Sequence, residues 1–458
     1  MIFFDIIIVF IIVILLIFFV SLYRFIFGGK TTLFDYEGAV EKATLTSKGQ
    51  EKRQEKIKGE KTLIGTNGRK EIFIENNARH VFVCGTTGTG KTVALANFIN
   101  SGVDYDYPML ILDGKGDTDS NSIYDIVSKL KGTRKVYVIN LNDPINSDKY
   151  NPFYNTTPTI IKDMLINLTE FSEQHYKQNT ERYLQRLINL LFMNDIKTSF
   201  GKILEYIEPL KFTAISAESV KKGLISKDAH LNNIDLIKTS GEIAAGATAR
   251  FSNLFESDIG EIFDDKGIDI YRAIQEKAII LFILNPLLYP ETSPLFGNLV
   301  IIDSKKCVSH LYSEKQKRVF FIFDEINVYA TPSLLDLVNK SRSANVTCIL
   351  AAQSLSDLDA KSGEYFKEQI IENCNQFIIL RQNSAVNAEQ FSNIIGTKNT
   401  MNITYQMNED GTTGKGSARS VREYLYHPDD IKNLKMGHAI YVSKDTNFKS
   451  KINIYKCF

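Results

Sequence analysis

The sequence predicts an α/β protein, a mostly parallel sheet interrupted by an all-α segment and preceded by one membrane-spanning helix. Three observations predict it. Ile6–Tyr23 is an uncharged run built almost entirely of Ile, Leu, Val and Phe. Further along, short apolar runs recur without polar alternation, the pattern of strands covered on both faces. Between the third and fourth interior runs, apolar residues switch to a spacing of three and four, the period of helices.

The apolar run comes first. At about 1.5 Å per residue it spans roughly 27 Å, and Arg24 can snorkel to extend it toward Phe27. Its only preceding side-chain charge is Asp5, and no small-residue cleavage site follows, so a permanent anchor fits better than a cleaved leader. Arg24, Lys30, Lys42 and Lys48 all follow the run. The positive-inside rule then puts the N-terminus outside and the rest of the chain in the cytoplasm. The expectation is a single-pass membrane protein, with 1–28 as anchor and 29–75 as a solvated stalk.

Composition narrows the function classes. Lys and Arg total 54 against 53 Asp and Glu, a net charge of +1. That excludes a globally basic nucleic-acid coat and leaves room for a local basic channel. At 44% hydrophobic, the 458 residues can fill two or three cores. The five cysteines include no Cys-x-x-Cys, which argues against a zinc knuckle and fits a reducing compartment.

Strands are expected at His80–Cys84, Met109–Asp113, Lys135–Asn140, Ala278–Leu284, Val319–Asp324, Val346–Ala352, Gln376–Leu380 and His438–Val442. The helical texture, seen in Leu184, Leu187, Ile188 and Leu191, marks 156–270 as an inserted all-α domain. The sheet domain is thus divided into 76–155 and 271–458.

Gly85-Thr86-Thr87-Gly88-Thr89-Gly90-Lys91-Thr92 matches the phosphate-binding loop G-x-x-x-x-G-K-[ST], with a strand leading in and a helix leading out. Glycines let the loop turn its N–H groups inward, and the helix N-terminus favours an anion. Lys91 is expected at the β- and γ-phosphates of ATP, and the Thr92 hydroxyl on Mg²⁺. The strand Val319–Asp324 ends in two carboxylates. Asp324 is expected to hold Mg²⁺ through water, and Glu325 to polarise the attacking water. No Leu-Ser-Gly-Gly-Gln precedes that strand, and Asn339-Lys340-Ser341-Arg342 lacks the Asp that reads guanine. ATP motors remain.

Taken in order, Val81–Thr92, Asp113-Gly-Lys-Gly-Asp117, Tyr150-Asn-Pro-Phe153, Phe323-Asp-Glu-Ile326, Ser341-Arg-Ser343 and Leu350-Ala-Ala-Gln-Ser-Leu-Ser356 resemble conjugative coupling proteins of type IV secretion, the TraG/TraD type. The resemblance runs from about 80 to 458. It implies a RecA-like P-loop core related to the FtsK and HerA translocases, assembled as a homohexamer. It also implies delivery of relaxase-bound single-stranded DNA to a secretion channel, with a relaxase and a secretion ATPase or channel proteins as partners. By the same resemblance Arg342 reaches a neighbour's ATP and Gln353 senses its γ-phosphate; the alternatives are a solvated helix-end arginine and a turn residue. Asp113 and Lys115 contact nucleotide or the adjoining subunit, or merely form a turn. Arg381 is a second candidate for a contact in trans, and His80 reads as a strand-entry residue.

The family commonly has two membrane helices where one is seen here, and no acidic tail follows the last strand. Lys211, Lys221, Lys222, Lys227 and Lys238 are candidates for a sequence-tolerant DNA path, or a solvated face. Two other readings stay open: an FtsK-like DNA pump working without a secretion channel, and a nucleotide-gated membrane scaffold that hydrolyses little.

Overall fold

The computed structural model describes residues 59–458 apart from 78, 169–170, 315–317, 363–364 and 409–410. The expected anchor Ile6–Tyr23 and the stalk up to residue 58 lie outside the described residues. Among those described, no helix is long and apolar enough to cross a membrane. The described residues form two compact units: 59–394 with His427–Phe458, and Ile395–Tyr426.

In chain order the larger unit begins β1 (Lys61–Asn67), β2 (Lys70–Glu75), β3 (His80–Cys84), α1 (Lys91–Asp104), β4 (Met109–Asp113), α2 (Ile123–Leu130) and β5 (Val136–Asn140). Five helices follow without a strand: α3 (Pro158–Asn167), α4 (Gln174–Met193), α5 (Phe200–Ile207), α6 (Pro209–Lys221) and α7 (Lys227–Glu256). Then come α8 (Ile270–Gln275), β6 (Ile279–Ile283), α9 (Thr292–Leu311), β7 (Val319–Asp324), α10 (Pro332–Ser341) and β8 (Val346–Ala352). After α11 (Ser356–Ser362), α12 (Phe366–Asn373), β9 (Cys374–Ile379) and α13 (Ala385–Ile395), the smaller unit contributes β10 (Thr397–Asn408) and β11 (Gly411–Tyr424). The chain closes with α14 (Pro428–Lys432), β12 (His438–Ser443) and β13 (Phe448–Ile454).

One 11-stranded sheet runs in the order β2-β1-β13-β12-β9-β3-β8-β7-β4-β6-β5. From β9 to β5 every pairing is parallel, and from β12 to β2 every pairing is antiparallel. β3, β4, β6, β7 and β8 are buried along their whole length, as their unbroken apolar sequences require. Phe98 of α1 and Tyr107 meet Phe320 edge-on, at ring separations of 6.4 and 5.0 Å, and lock α1 against the sheet.

Residues 61–75, expected to belong to the stalk, instead form the β1–β2 hairpin at the sheet edge. Both strands alternate buried and exposed positions, since only one face is covered. The smaller unit is an antiparallel ribbon of β10 and β11, with Thr397 opposite Tyr424. Neither strand carries the continuous apolar run sought in the sequence.

A buried ion cluster ties the two ends of the helical stretch to α9. Lys306 Nζ lies 2.9 Å from both Asp269 Oδ2 and Asp303 Oδ1, and donates to the Pro152 carbonyl at 2.7 Å. The Tyr150 hydroxyl donates to Asp303 Oδ2 at 2.8 Å, and Asp269 caps α8 by accepting the Arg272 N–H. Burial alone disfavours the Lys306 ammonium, but the carboxylates of Asp303 and Asp269 outweigh it and raise its pKa. Lys306→Met leaves two buried carboxylates facing each other and is expected to cost about 3–5 kcal/mol of stability in urea denaturation. A loss below about 1 kcal/mol would contradict that account.

Candidate functional site

The glycine loop hangs between three strand ends. Gly85 N–H donates to the Ala352 carbonyl at 3.2 Å, Leu380 N–H to that of Cys84 at 2.8 Å, and Thr86 N–H to that of Arg381 at 3.1 Å. At Gly85 a Cβ would lie 2.5 Å from Leu380 Cβ, so only glycine fits. Gly88 and Gly90 take φ of +75° and +114°, which curl the loop back over the start of α1. Thr89 is buried; its hydroxyl donates to the Thr86 carbonyl at 2.6 Å and its carbonyl accepts from Gly437 N–H at 3.1 Å. Thr87 and Gly88 form the exposed tip. α1 begins at Lys91 with no side-chain cap, so its first-turn N–H groups, including that of Thr92, face the loop's concavity as an anion site.

Lys91 Nζ donates to the Gly85 carbonyl at 2.9 Å and lies 3.4 Å from Glu325 Oε1. Glu325 follows β7 in the left-handed region (φ 49°, ψ 53°), a conformation costing a side chain about 1 kcal/mol. That turn aims its carboxylate at Lys91 and at Gln353, whose Nε2 donates to Glu325 Oε1 at 3.2 Å. Asp324 and Asp113 are register partners on neighbouring parallel strands, so two more carboxylates stand side by side. Asp324 Oδ1 accepts the Glu325 N–H at 3.0 Å, and Asp113 Oδ1 the Lys115 N–H at 2.9 Å. The Tyr329 hydroxyl donates to the carbonyls of Asp324 (2.7 Å) and Leu112 (3.2 Å), holding the two strand ends together.

Burial, with Asp113 and Glu325 nearby, pushes Asp324 up to about 8 despite the opposing Lys91 charge. Burial likewise pushes Asp113 up to about 7, partly opposed by the Lys115 N–H. Asp113 Oδ2 and Glu325 Oε2 are buried without a partner. Such atoms fit a cation brought in from outside. No group of three or more His, Cys, Asp or Glu among the described residues could hold a metal by itself. Magnesium with a phosphate ligand therefore suits the site better than a bare ion.

The structure brings Lys91, Thr92, Asp324, Glu325 and Gln353 to the C-terminal ends of β3, β7 and β8. Arg342 is elsewhere: it is exposed in the turn that enters β8, and Asn345 of that turn accepts the Val319 N–H at the start of β7. The length of β8 puts it roughly 20 Å from its own chain's loop. His80 is structural, as its Nδ1 accepts the Cys348 N–H at 3.0 Å and its Nε2 donates to the Val338 carbonyl at 2.8 Å. Burial lowers its pKa to about 4, so it stays neutral. Arg381 serves the loop through its carbonyl, and Lys115 pairs with Asp117. Of the candidate lysines, all exposed, Lys211 pairs with Glu205 at 3.4 Å and Lys222 with Glu218 at 2.6 Å. Sequence reasoning missed Tyr329, whose hydroxyl bonds backbone carbonyls, and Gly437, which acts through its N–H; neither leaves a motif.

Residues 318–436 match the family model described as the TraM recognition site of TraD and TraG. An uncharacterized protein of Mycoplasma pneumoniae is 30% identical over 100 residues, 22% of this chain and 67% of that one. The solved structure of the bacterial conjugative coupling protein TrwBΔN70 matches with TM-score 0.63 at 16% identity, over 90% of this chain and 92% of that one. TrwB has also been solved with ADP and Mg²⁺, a structure that matches with TM-score 0.60 at 16% identity over the same shares. VirB4 of Thermoanaerobacter pseudethanolicus matches with TM-score 0.56 at 12% identity, over 87% and 97%.

Raised folded-state pKa values at Asp113 and Asp324 imply that their support for the fold is complete only below the unfolded value near 4. It is lost as pH rises through about 7 and 8. Without nucleotide or divalent cation, Asp113→Asn is expected to raise the thermal midpoint at pH 8, and to raise it less at pH 5. An unchanged or lower midpoint at pH 8 would refute the electrostatic reading.

Proposed function

We propose, from the premise that this chain belongs to the TraG/TraD type within the P-loop ATPase superfamily, that it is a membrane-anchored, ATP-driven DNA translocase. It couples relaxase-bound single-stranded DNA to a type IV secretion channel. The observation that carries the enzymatic part is the Lys91–Glu325–Gln353 chain at the mouth of the glycine loop, flanked by Asp113 and Asp324.

In this reading bound Mg²⁺–ATP supplies the phosphoryl group and the charge that the clustered carboxylates lack. The N–H groups of Gly85–Thr92 and Lys91 hold the phosphates, while Thr92 and Asp324 hold the cation. Glu325, freed from Lys91, orients and deprotonates the attacking water. Gln353 links that carboxylate to the end of β8, so a change at the phosphates is felt along a central strand. Arg342 is too far to serve its own chain's site and acts on a neighbour's ATP in a RecA-like homohexamer, where its guanidinium stabilises charge in the transition state. The residues of Ile6–Tyr23 hold the ring at the bacterial inner membrane, and the helical stretch receives the relaxase.

Full-length chain in detergent is expected to hydrolyse ATP at a rate that rises with protein concentration and again with single-stranded DNA. Lys91→Ala and Glu325→Ala should each abolish this activity and plasmid transfer. Arg342→Ala should lower the rate at least tenfold, with nucleotide affinity retained. A flat, DNA-indifferent rate, or normal transfer by Lys91→Ala, would overturn the proposal and favour a scaffold.

A further inference from the structure

A second concavity lies apart from the glycine loop and the carboxylates. It has a volume of about 540 Å³ and sits at the foot of the helical stretch. One wall is the segment after β5, from Asn151 to Thr156, together with Asp265 and Lys266. The opposite wall is the turn from Phe192 to Thr198 between α4 and α5, and Arg272 of α8 completes the rim.

The first wall is braced. Tyr150 and Asn151 bridge to Ile262 and Ile268 through backbone hydrogen bonds, and Asn151 Nδ2 donates to the Asp265 carbonyl at 3.3 Å. The Tyr154 carbonyl accepts from Lys306 Nζ at 3.4 Å, which joins it to the buried ion cluster. The Tyr154 backbone is therefore held, while the residue remains 41% exposed. The Arg272 guanidinium lies over the Tyr154 ring, 5.6 Å from its centroid.

Charge and polarity select the occupant. Lys197 and Lys266 are exposed and have no ion pair among the described residues, whereas Arg272 shares Glu276 at 3.2 Å. With Asp195 and Asp265, the lining carries three cations against two carboxylates. The Thr156 hydroxyl, also in the lining, is buried without a partner, a cost that a ligand's polar atom removes. A simple anion makes no use of Tyr154, and an apolar ligand leaves the cations and the hydroxyl unmet. A planar base joined to phosphate uses all of them: stacking on an aromatic face, charge against phosphate, and one hydroxyl to a base edge or sugar. Because Tyr154, Lys197 and Lys266 all reach solvent, the cavity is open enough for a strand to continue past it.

We infer that this cavity holds one nucleotide of a single-stranded DNA against Tyr154, with Lys197, Lys266 and Arg272 on the adjoining phosphates. The inference rests on the reading of the chain as a DNA translocase and supplies that reading with a contact site. It also moves the DNA path away from the lysines of α6 and α7, two of which are already paired.

The test uses the full-length chain and fluorescent oligo-dT in a salt titration. The double variant Lys197→Glu/Lys266→Glu is expected to bind at least about tenfold more weakly. Its log–log salt slope should shrink by about 1.4, the share of two phosphate contacts on a single strand. Tyr154→Ala should lose about tenfold and Tyr154→Phe recover it, since stacking needs the ring and not the hydroxyl. Oligo-dT bearing 5-iodouracil should photo-crosslink to the peptide containing Tyr154. ATP hydrolysis without DNA should be unchanged in every variant. If wild-type protein binds oligo-dT and the variants match its affinity and slope, the cavity assignment falls while the translocase reading stands. If thymidine monophosphate binds in a Tyr154-dependent way and oligo-dT binding ignores the variants, the site belongs to free nucleotide and the inference is overturned. Failure of wild-type protein to bind oligo-dT at all sinks the translocase reading as well.

Discussion

Three buried carboxylates gather around one buried ammonium, and the rest of the site is arranged around that imbalance. Asp113, Asp324 and Glu325 are buried at the ends of strands; Lys91 pairs with Glu325, and the charge of the more exposed Lys115 also acts on Asp113 and Asp324. Burial disfavours the charged form of such a cluster, which is relieved by protonation, as at Asp113 and Asp324, or by further positive charge. The sheet supplies the geometry: parallel register sets Asp113 beside Asp324, and the left-handed turn at Glu325 swings the third carboxylate across to Lys91. In the free chain Lys91 thus restrains Glu325. Under the proposed function, a phosphate that drew Lys91 away would release that carboxylate. Gln353 joins the same carboxylate to the end of β8, a central strand of the sheet.

The helical stretch is joined to this sheet by a second buried electrostatic device of opposite character. Lys306 lies 2.9 Å from each of its two aspartates and donates to the Pro152 carbonyl, so this cluster carries its counter-charge within the fold. The joint gathers the entry and exit of the helical stretch onto α9. The backbone of Tyr154 sits on that joint, with its carbonyl accepting from Lys306.

What the sequence made legible follows from how each element is buried. Strands covered on both faces announce themselves as unbroken apolar runs, and β3, β4, β6, β7 and β8 fall within a residue of their expected limits. β1, β2 and β13 are covered on one face only, and their lysines, glutamates and serines hid them in apparent linker. β10 and β11, rich in Thr, Asn and Gly, offered no apolar signal at all. At the site, the glycine loop and the Asp324–Glu325 pair were readable because their chemistry is encoded locally. The pairing of Asp113 with Asp324 was not, since it depends on a register between strands some two hundred residues apart. Gly437 acts through a backbone N–H that almost any residue could present, and the Tyr329 hydroxyl meets backbone carbonyls, so neither leaves a motif. Arg342 was legible as a motif, but only the strand direction shows that it lies at the far end of the sheet from its own loop.

The edge of the sheet has a mechanical meaning. β1, the first strand of the described chain, pairs with β13, the last, at Gly65–Ile454 and Thr66–Asn453. The Ile454 N–H in turn donates to the Gly437 carbonyl at 2.8 Å, and the Gly437 N–H donates to Thr89 within the glycine loop. Tension applied at Lys61 would therefore cross two strands and one turn before bearing on the glycine loop. Under the proposed function, a chain tethered ahead of β1 would feel its load at the nucleotide site, through a handful of backbone hydrogen bonds. The hairpin at the edge is in that sense a tendon as well as a cover.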